Sequence, residues 1–282
     1  MTHTHHTAPT RFVEAGGIRF AFRRFGTPGA APPLVLNMHF LGTMDHWDPS
    51  VTDGLARTRE VILFNNAGIS SSNGEVPRKI EAMAANAIRF IRALDLELVD
   101  VLGLSLGGTI AQEIAVQAPT LVRRLILIGT GPRSGEGMGS LTPEFQAIFG
   151  AEYAHPDLLW KAIFFTGSEK SRAAGDAFLR RFRRRIEERD PEVSDAVAPA
   201  QVEALGRWGA PAERPWDYLR AIEHRTLVVN GDRDPVIYTA NSRILAENLP
   251  NADLILYSDA SHGAPYQYPD LFVAQAAAFL DT

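Results

Sequence analysis

Apolar residues along this chain fall into two kinds of run. Short, nearly continuous ones occur at Leu34 to Met38, Val61 to Phe64, Val99 to Leu102, Leu125 to Ile128, Thr226 to Asn230 and Leu254 to Tyr257. Their length and aliphatic content predict strands; Leu34 to Met38 and Val61 to Phe64 carry the pattern of strands buried on both faces of a parallel sheet, and Val99 to Leu102 reads as another buried strand. Longer stretches repeat at helical spacing. Ile80, Met83, Ala84, Ala87, Ile88, Ile91 and Leu94 form one stripe, which predicts an amphipathic helix over Ile80 to Leu94. Leu106 to Ala118 follows the same spacing through Ile110, Ala111, Ile114 and Ala115 until Pro119 stops it. Further helices are expected around Asp53 to Thr58, from Ala240 to Glu247 and from Asp270 to Leu280. Ahead of all these, Phe12 to Glu14 and Ile18 to Phe22 alternate with period two around Gly16-Gly17 and predict a hairpin.

Strand and helix therefore alternate, which implies right-handed crossovers and an α/β fold with a mostly parallel central sheet flanked by helices. The alternation breaks once. From Gly131 to about Glu223 no convincing strand occurs, and the stretch is rich in Arg, Ala, Glu and aromatic residues, so a helical insertion is expected. The economical division is a tail over 1–10, a first core segment over 11–131, the insertion over 132–223 and a second core segment over 224–282.

Composition narrows the class. The 282 residues suffice for one substantial core, and 45% hydrophobic with 22% charged residues is ordinary for a folded globular protein. A net charge of -5 gives no broad electrostatic reason to expect a nucleic-acid or anionic-membrane partner, and a small neutral or weakly charged substrate fits better. There is no cysteine, which removes disulfides, thiolate metal sites and a cysteine nucleophile together. No apolar run is long enough to cross a bilayer, and the polar first ten residues lack the apolar core of a secretory signal, so a cytoplasmic location is expected. His3, His5 and His6 in that segment are read as part of an unstructured tail without a role. The oligomeric state stays open, a homodimer included.

The chemistry enters at Gly103-Leu104-Ser105-Leu106-Gly107-Gly108, between a buried strand and an amphipathic helix. A Gly-x-Ser-x-Gly nucleophile elbow requires this context, because a serine held in a strained turn tolerates no large neighbours. A serine hydroxyl also needs a base and a group that orients the base, in the chain order Ser, acid, His for such an elbow. Of the downstream histidines, His155 and His224 lie in or at the edge of the insertion, whereas His262 sits in the loop after the last strand, where catalytic groups gather. His262 is therefore the candidate base. The loop after the penultimate strand offers Asp232 and Asp234. Asp234, farther into the loop and before a rigid proline, is the candidate acid, while Asp232 is expected to cap the turn or pair with Arg233. The Leu106 amide, following the nucleophile, is one candidate oxyanion donor; the other is expected from the loop after the Leu34 to Met38 strand.

These motifs resemble the α/β-hydrolase fold family, and more narrowly its small bacterial esterase, haloperoxidase-like and lactonase members. The resemblance runs through Phe40 to Pro49 with Trp47, Asn65-Asn66-Ala67-Gly68, Gly103 to Gly108, Gly231 to Asp234 and Ser261-His262-Gly263. It implies that the insertion is a cap over the active site. It also implies that Phe40, counted back from Trp47, gives the second oxyanion amide, although Met38 and His39 stand where the family has His-Gly. Trp47 is read as core packing.

His39, Val236 and Trp160 are candidate pocket residues. Trp160, with Phe164, Phe165 and Trp208, stands either in the pocket or in the insertion's own core. Arg180 to Arg185 are expected to form a solvated helix face paired with Glu187, Glu188 and Asp190.

The expected reaction is hydrolysis of a small-molecule ester or lactone, with no cofactor and no metal implied. The same residues fit carbon-carbon bond hydrolysis or haloperoxidase-like perhydrolysis, and a ligand-binding receptor or scaffold on this fold is the reading from another class. Haloalkane dehalogenase and epoxide hydrolase chemistry is disfavoured, because those relatives carry aspartate at the position of Ser105.

Overall fold

The computed structural model describes residues 3–29 and 31–282. An eight-stranded sheet runs in the order β1-β2-β4-β3-β5-β6-β7-β8. The hairpin of β1 (Arg11–Ala15) and β2 (Ile18–Gly26) joins antiparallel to β4 (Glu60–Phe64). Gly16 and Gly17 form its turn at φ 59° and 79°, a conformation that side-chain-bearing residues adopt at a cost. All remaining pairings are parallel, through β3 (Leu34–Asn37), β5 (Val99–Leu104), β6 (Val122–Ile128), β7 (Arg225–Gly231) and β8 (Ala252–Tyr257). Every residue of β3 and β5 is buried, including Asp100, whose carboxylate accepts two hydrogen bonds from Arg123 at 2.9 and 2.6 Å.

The strand order reverses direction at β3, and this reversal positions the site. The crossover from β3 to β4 through α1 (Pro49–Ala56) runs one way, and that from β4 to β5 through α2 (Ile80–Ala93) runs back past β3. Right-handed crossovers then put α1 and α2 on opposite faces, and the loops leaving β3 and β5 diverge to open a crevice at the carboxyl edge. The helix α3 (Leu106–Gln117) follows β5 directly and packs against α2.

Between β6 and β7 lie α4 (Pro143–Phe149), α5 (Asp157–Phe164), α6 (Glu169–Phe182) and α7 (Val197–Trp208), with no strand among them. The sheet then resumes with β7, α8 (Thr239–Asn248) and β8, and the described chain ends on the short α9 (Ala264–Gln267) and on α10 (Pro269–Asp281), which packs against α1.

Two expectations are corrected here. The N-terminal segment is not an unstructured tail over its described residues. His5 and Ala8 are buried, the His5 amide donates to Asp53 at 2.6 Å, and its Nδ1 lies 3.0 Å from the Thr52 hydroxyl. The arginine run is only in part a solvated, locally paired face: Arg180, Arg183 and Arg184 are exposed and Arg185 lies 3.6 Å from Glu188, but the other contacts reach farther. The helix α6 ends at Phe182, Arg181 binds Asp48 through two hydrogen bonds, and Arg183 binds Asp157. Buried Arg185 donates to the carbonyls of His5, His6 and Ala8 at 2.9–3.0 Å. A guanidinium's planar fork suits several carbonyls at once, and burial of this charge demands such partners. The adjoining pair of Arg23 and Asp45, at 2.5 Å, is buried as well, and Asp45 also accepts the Asp190 amide at 2.6 Å. Burial alone would raise the Asp45 carboxyl, but the bond and charge of Arg23 outweigh it and hold its pKa low. Long-range charges and carbonyls thus add to the one local pair of Arg185 with Glu188 that the sequence suggests.

Removal of residues 3–9 strips three acceptors from a buried guanidinium. Arg185 keeps Asp45 and Glu188, so the loss is that of hydrogen bonds to a charged donor, about 1.5–3 kcal/mol, and the thermal midpoint is expected to drop by about 3–12 °C. A truncated protein that melts at the wild-type temperature would show that the segment does not anchor Arg185. Burial lowers the His5 pKa to about 3, with Asp45 opposing. Above the ordinary imidazole value near 6.5 the ring is neutral folded or unfolded; below it only the unfolded state gains the proton. This histidine therefore removes stability as pH falls from about 6.5 towards 3, at up to about 1.4 kcal/mol per unit. Chemical denaturation of His5→Gln across that range is expected to show a shallower decline than wild type.

Candidate functional site

Ser105 occupies the turn between β5 and α3 at φ 58° and ψ −120°, outside the regions that residues with side chains prefer. The turn exists because its flanks lack side chains. A Cβ on Gly103 would lie 2.2 Å from the Gly107 carbonyl oxygen, and one on Gly107 would lie 2.0 Å from the Asn37 carbonyl oxygen. The Ser105 amide donates to Ile128 at 2.8 Å, which pins the turn to β6.

The loops after β7 and β8 bring Asp234 and His262 together, as the sequence predicts. His262 Nδ1 donates to Asp234 Oδ2 at 2.8 Å, with both side chains shielded from water. The other carboxylate oxygen accepts the amides of Val236 and Ile237 at 2.8 and 3.1 Å. The acid is thereby fixed on both oxygens. Asp232 does not pair with Arg233; that arginine reaches Asp259 instead, at 3.2 Å. His155 and His224 lie elsewhere, beside Arg183 and the Pro119 carbonyl respectively.

Ser105 and His262 open onto one apolar pocket, whose outline encloses about 790 Å³ of space outside atoms, part of it open to solvent. His39, Val236 and Trp160 all line it, together with Phe40. Phe164 also lines it and stacks on the His262 ring at a centroid separation of 6.3 Å, whereas Phe165 and Trp208 are buried elsewhere in the insertion. Trp47 is core, at 1% exposure.

Two backbone amides face chemistry of their own. The Leu106 amide begins α3, where no residue one turn earlier in the helix exists to accept it. In the loop after β3, the Gly42 amide donates to the His39 carbonyl at 3.0 Å and the Leu41 amide to Gln201 Oε1 at 2.8 Å. Among the described residues the Phe40 amide has no hydrogen-bond acceptor.

Sequence reasoning missed Gln201. It lies on α7, is buried, and ties the insertion to a loop whose Leu41 adopts φ 58°. Phe145, Ile163 and Leu205 of the pocket wall were missed too. Helical spacing marks each as apolar or amphipathic but carries no sign of which face meets the crevice. His46, behind His39, has its pKa lowered to about 4 by burial, although Asp45 pulls it upward.

Comparison with known proteins agrees with this geometry. A family model described as alpha/beta hydrolase fold matches residues 32–268. A solved structure of an alpha/beta hydrolase fold protein from Chitinophaga pinensis is 40% identical, covers 99% of this chain and 100% of its own, and superposes with a TM-score of 0.93. A poly(3-hydroxyalkanoate) depolymerase of Ectopseudomonas oleovorans is 30% identical across 86% of this chain and 81% of its own. A 2-hydroxy-6-oxo-2,4-heptadienoate hydrolase of Pseudomonas putida is 27% identical across 89% of each.

Replacement of Gln201 by leucine takes the acceptor from the half-buried Leu41 amide, and denaturant unfolding is expected to show a loss of about 0.5–1.5 kcal/mol. Wild-type stability in that variant would mean that the amide finds another partner. Sheet order, a family model over most of the chain and a relative of 40% identity converge: the chain belongs to the α/β-hydrolase fold family and is an enzyme of the hydrolase type.

Proposed function

We propose that this enzyme hydrolyses carboxylic esters or lactones of small molecules through an acyl-enzyme on Ser105. The observation that carries the reading is the buried His262–Asp234 pair opening onto the same pocket as a serine held in a strained turn. Because Nδ1 is committed to Asp234, the neutral ring presents Nε2 as a base. His262 takes the hydroxyl proton as Ser105 attacks the carbonyl, and returns it to the leaving alkoxide. Asp234 holds the tautomer and stabilises the imidazolium. A second cycle with water releases the acid. These steps call for no cofactor or metal.

The developing oxyanion needs two preorganised donors. The Leu106 amide serves as one. Phe40 is favoured as the other, since the neighbouring amides of Leu41 and Gly42 are already bonded to Gln201 and His39. Met38 and His39 in place of the family's usual dipeptide do not weaken this choice, because the backbone donates. The insertion over 132–223 acts as a cap: α4, α5 and α7 furnish Phe145, Trp160, Phe164 and Leu205 to a wall that suits an apolar acyl or alcohol part. Small molecules, rather than nucleic acid or membrane, are the partners this pocket suits.

A relative named as a hydrolase of 2-hydroxy-6-oxo-2,4-heptadienoate, a molecule with a ketone and no ester, supports a second reading, in which the same triad cleaves a carbon-carbon bond beside an activated ketone. Turnover of short aryl esters and of a vinylogous 1,5-diketone separates the two. For the ester reading, a fluorophosphonate probe labels wild type and not Ser105→Ala, and aryl-ester turnover disappears in that variant. Asp234→Asn is expected to lower kcat about 10⁴-fold with the fold intact. Labelling or turnover that survives Ser105→Ala would overturn the mechanism, and absence of both from folded wild type would favour a ligand-binding role.

A further inference from the structure

His39 stands where the family has glycine, and its chemistry is unspent. Its Nδ1 lies 2.8 Å from the carbonyl oxygen of Phe40. A carbonyl only accepts, so the ring proton resides on Nδ1. Burial, with the nearby His46, pushes the ring's pKa well below the ordinary imidazole value, against the pull of the Phe40 carbonyl. A neutral ring carries one proton, so Nε2 is an acceptor. That atom is buried and, among the described residues, has no hydrogen-bond partner.

Its surroundings explain why no protein group satisfies it. The ring packs against Trp160 at 5.0 Å, Phe164 at 5.3 Å and His46 at 5.6 Å between centroids. It forms part of the pocket wall that also contains Ser105 and His262, and the wall is otherwise largely apolar. A buried acceptor left bare is costly, and apolar pockets use a few placed polar groups to orient what they bind.

We propose that His39 is a substrate-recognition residue whose covered Nε2 accepts a hydrogen bond from a hydroxyl or N–H group of the bound molecule once the aromatic rings packed on it shift aside. The substrates then carry such a donor, on the acyl or the alcohol part, within reach of the scissile carbonyl. This deepens the ester and lactone reading and rests on it for the identity of the reacting group. A site built around a donor discriminates strongly against an analogue that lacks it, because the acceptor is then left unpaired.

Binding to Ser105→Ala tests this without turnover. The probes are matched pairs: 4-nitrophenyl butyrate with its 2-hydroxy and 3-hydroxy counterparts, and propyl butyrate with 2-hydroxypropyl butyrate. Calorimetry is expected to show at least one hydroxylated member binding about tenfold tighter than its partner. In Ser105→Ala/His39→Phe that preference falls to twofold or less, and in Ser105→Ala/His39→Gln, which keeps an acceptor, it persists in part. Should the phenylalanine variant not fold, His39→Leu makes the same comparison. Equal affinities within every pair in Ser105→Ala, or a preference that survives loss of the imidazole, overturn the proposal. Failure of the acyl-enzyme reading would register separately, as unlabelled wild-type protein that still distinguishes the pairs.

Discussion

The backbone contact between Gly107 and the carbonyl of Asn37 governs the geometry of this molecule's reactive edge. A methyl group at that glycine would sit 2.0 Å from the carbonyl oxygen, so the start of α3 rests directly on the end of β3. The contact sets how far the serine turn stands from the loop that carries His39, Phe40 and Leu41. Two amides, one from each segment, can face a single oxyanion only if that spacing is held. The sheet makes this possible: β3 and β5 are neighbours at the point where strand order reverses, so their outgoing loops diverge around a crevice.

What lies over the crevice is tied down by polar contacts as much as by apolar packing. The end of α5 accepts the Gly263 amide and the Ser261 hydroxyl, both next to His262. The helix α7 gives Gln201 to the loop after β3. Behind α6, Arg181 and Arg185 reach Asp48 and the carbonyls of the N-terminal segment. Each of these bonds links the insertion to a loop or terminus of the core, so insertion and reactive loops are mechanically coupled. Burial of such groups is costly unless every partner is present, which gives the assembly a defined arrangement.

The pocket combines a strongly apolar wall with very few polar atoms. Asp234 spends both oxygens within its own loop and on His262, and His262 spends Nδ1 on Asp234. His39 spends Nδ1 on the carbonyl beside it and leaves Nε2. Among the described residues, two imidazole nitrogens, one of His262 and one of His39, thus have no protein partner, and both rings line the same pocket. The first suits proton transfer and the second suits recognition.

Much of this was legible in the sequence, for a physical reason. Strands inside a sheet are mostly apolar, and helices packed on one side must repeat at 3.6 residues, so β3 to β7 and α2, α3 and α10 announced themselves, while β8, at the sheet edge and largely half-exposed, showed as a short apolar run. Steric demand wrote Ser105 into its glycines, and chain order wrote Asp234 and His262 into the loops after the last two strands. Charge pairing was not legible. Arg185 looked like one member of a solvated run, yet beside Glu188 its partners are Asp45 and three carbonyls far earlier in the chain, and local pattern holds no record of such distance. The same holds for Gln201 and for the free nitrogen of His39. A residue's type fixes what bonds it is able to make, but only tertiary packing decides which groups are brought within reach and which are left unpaired.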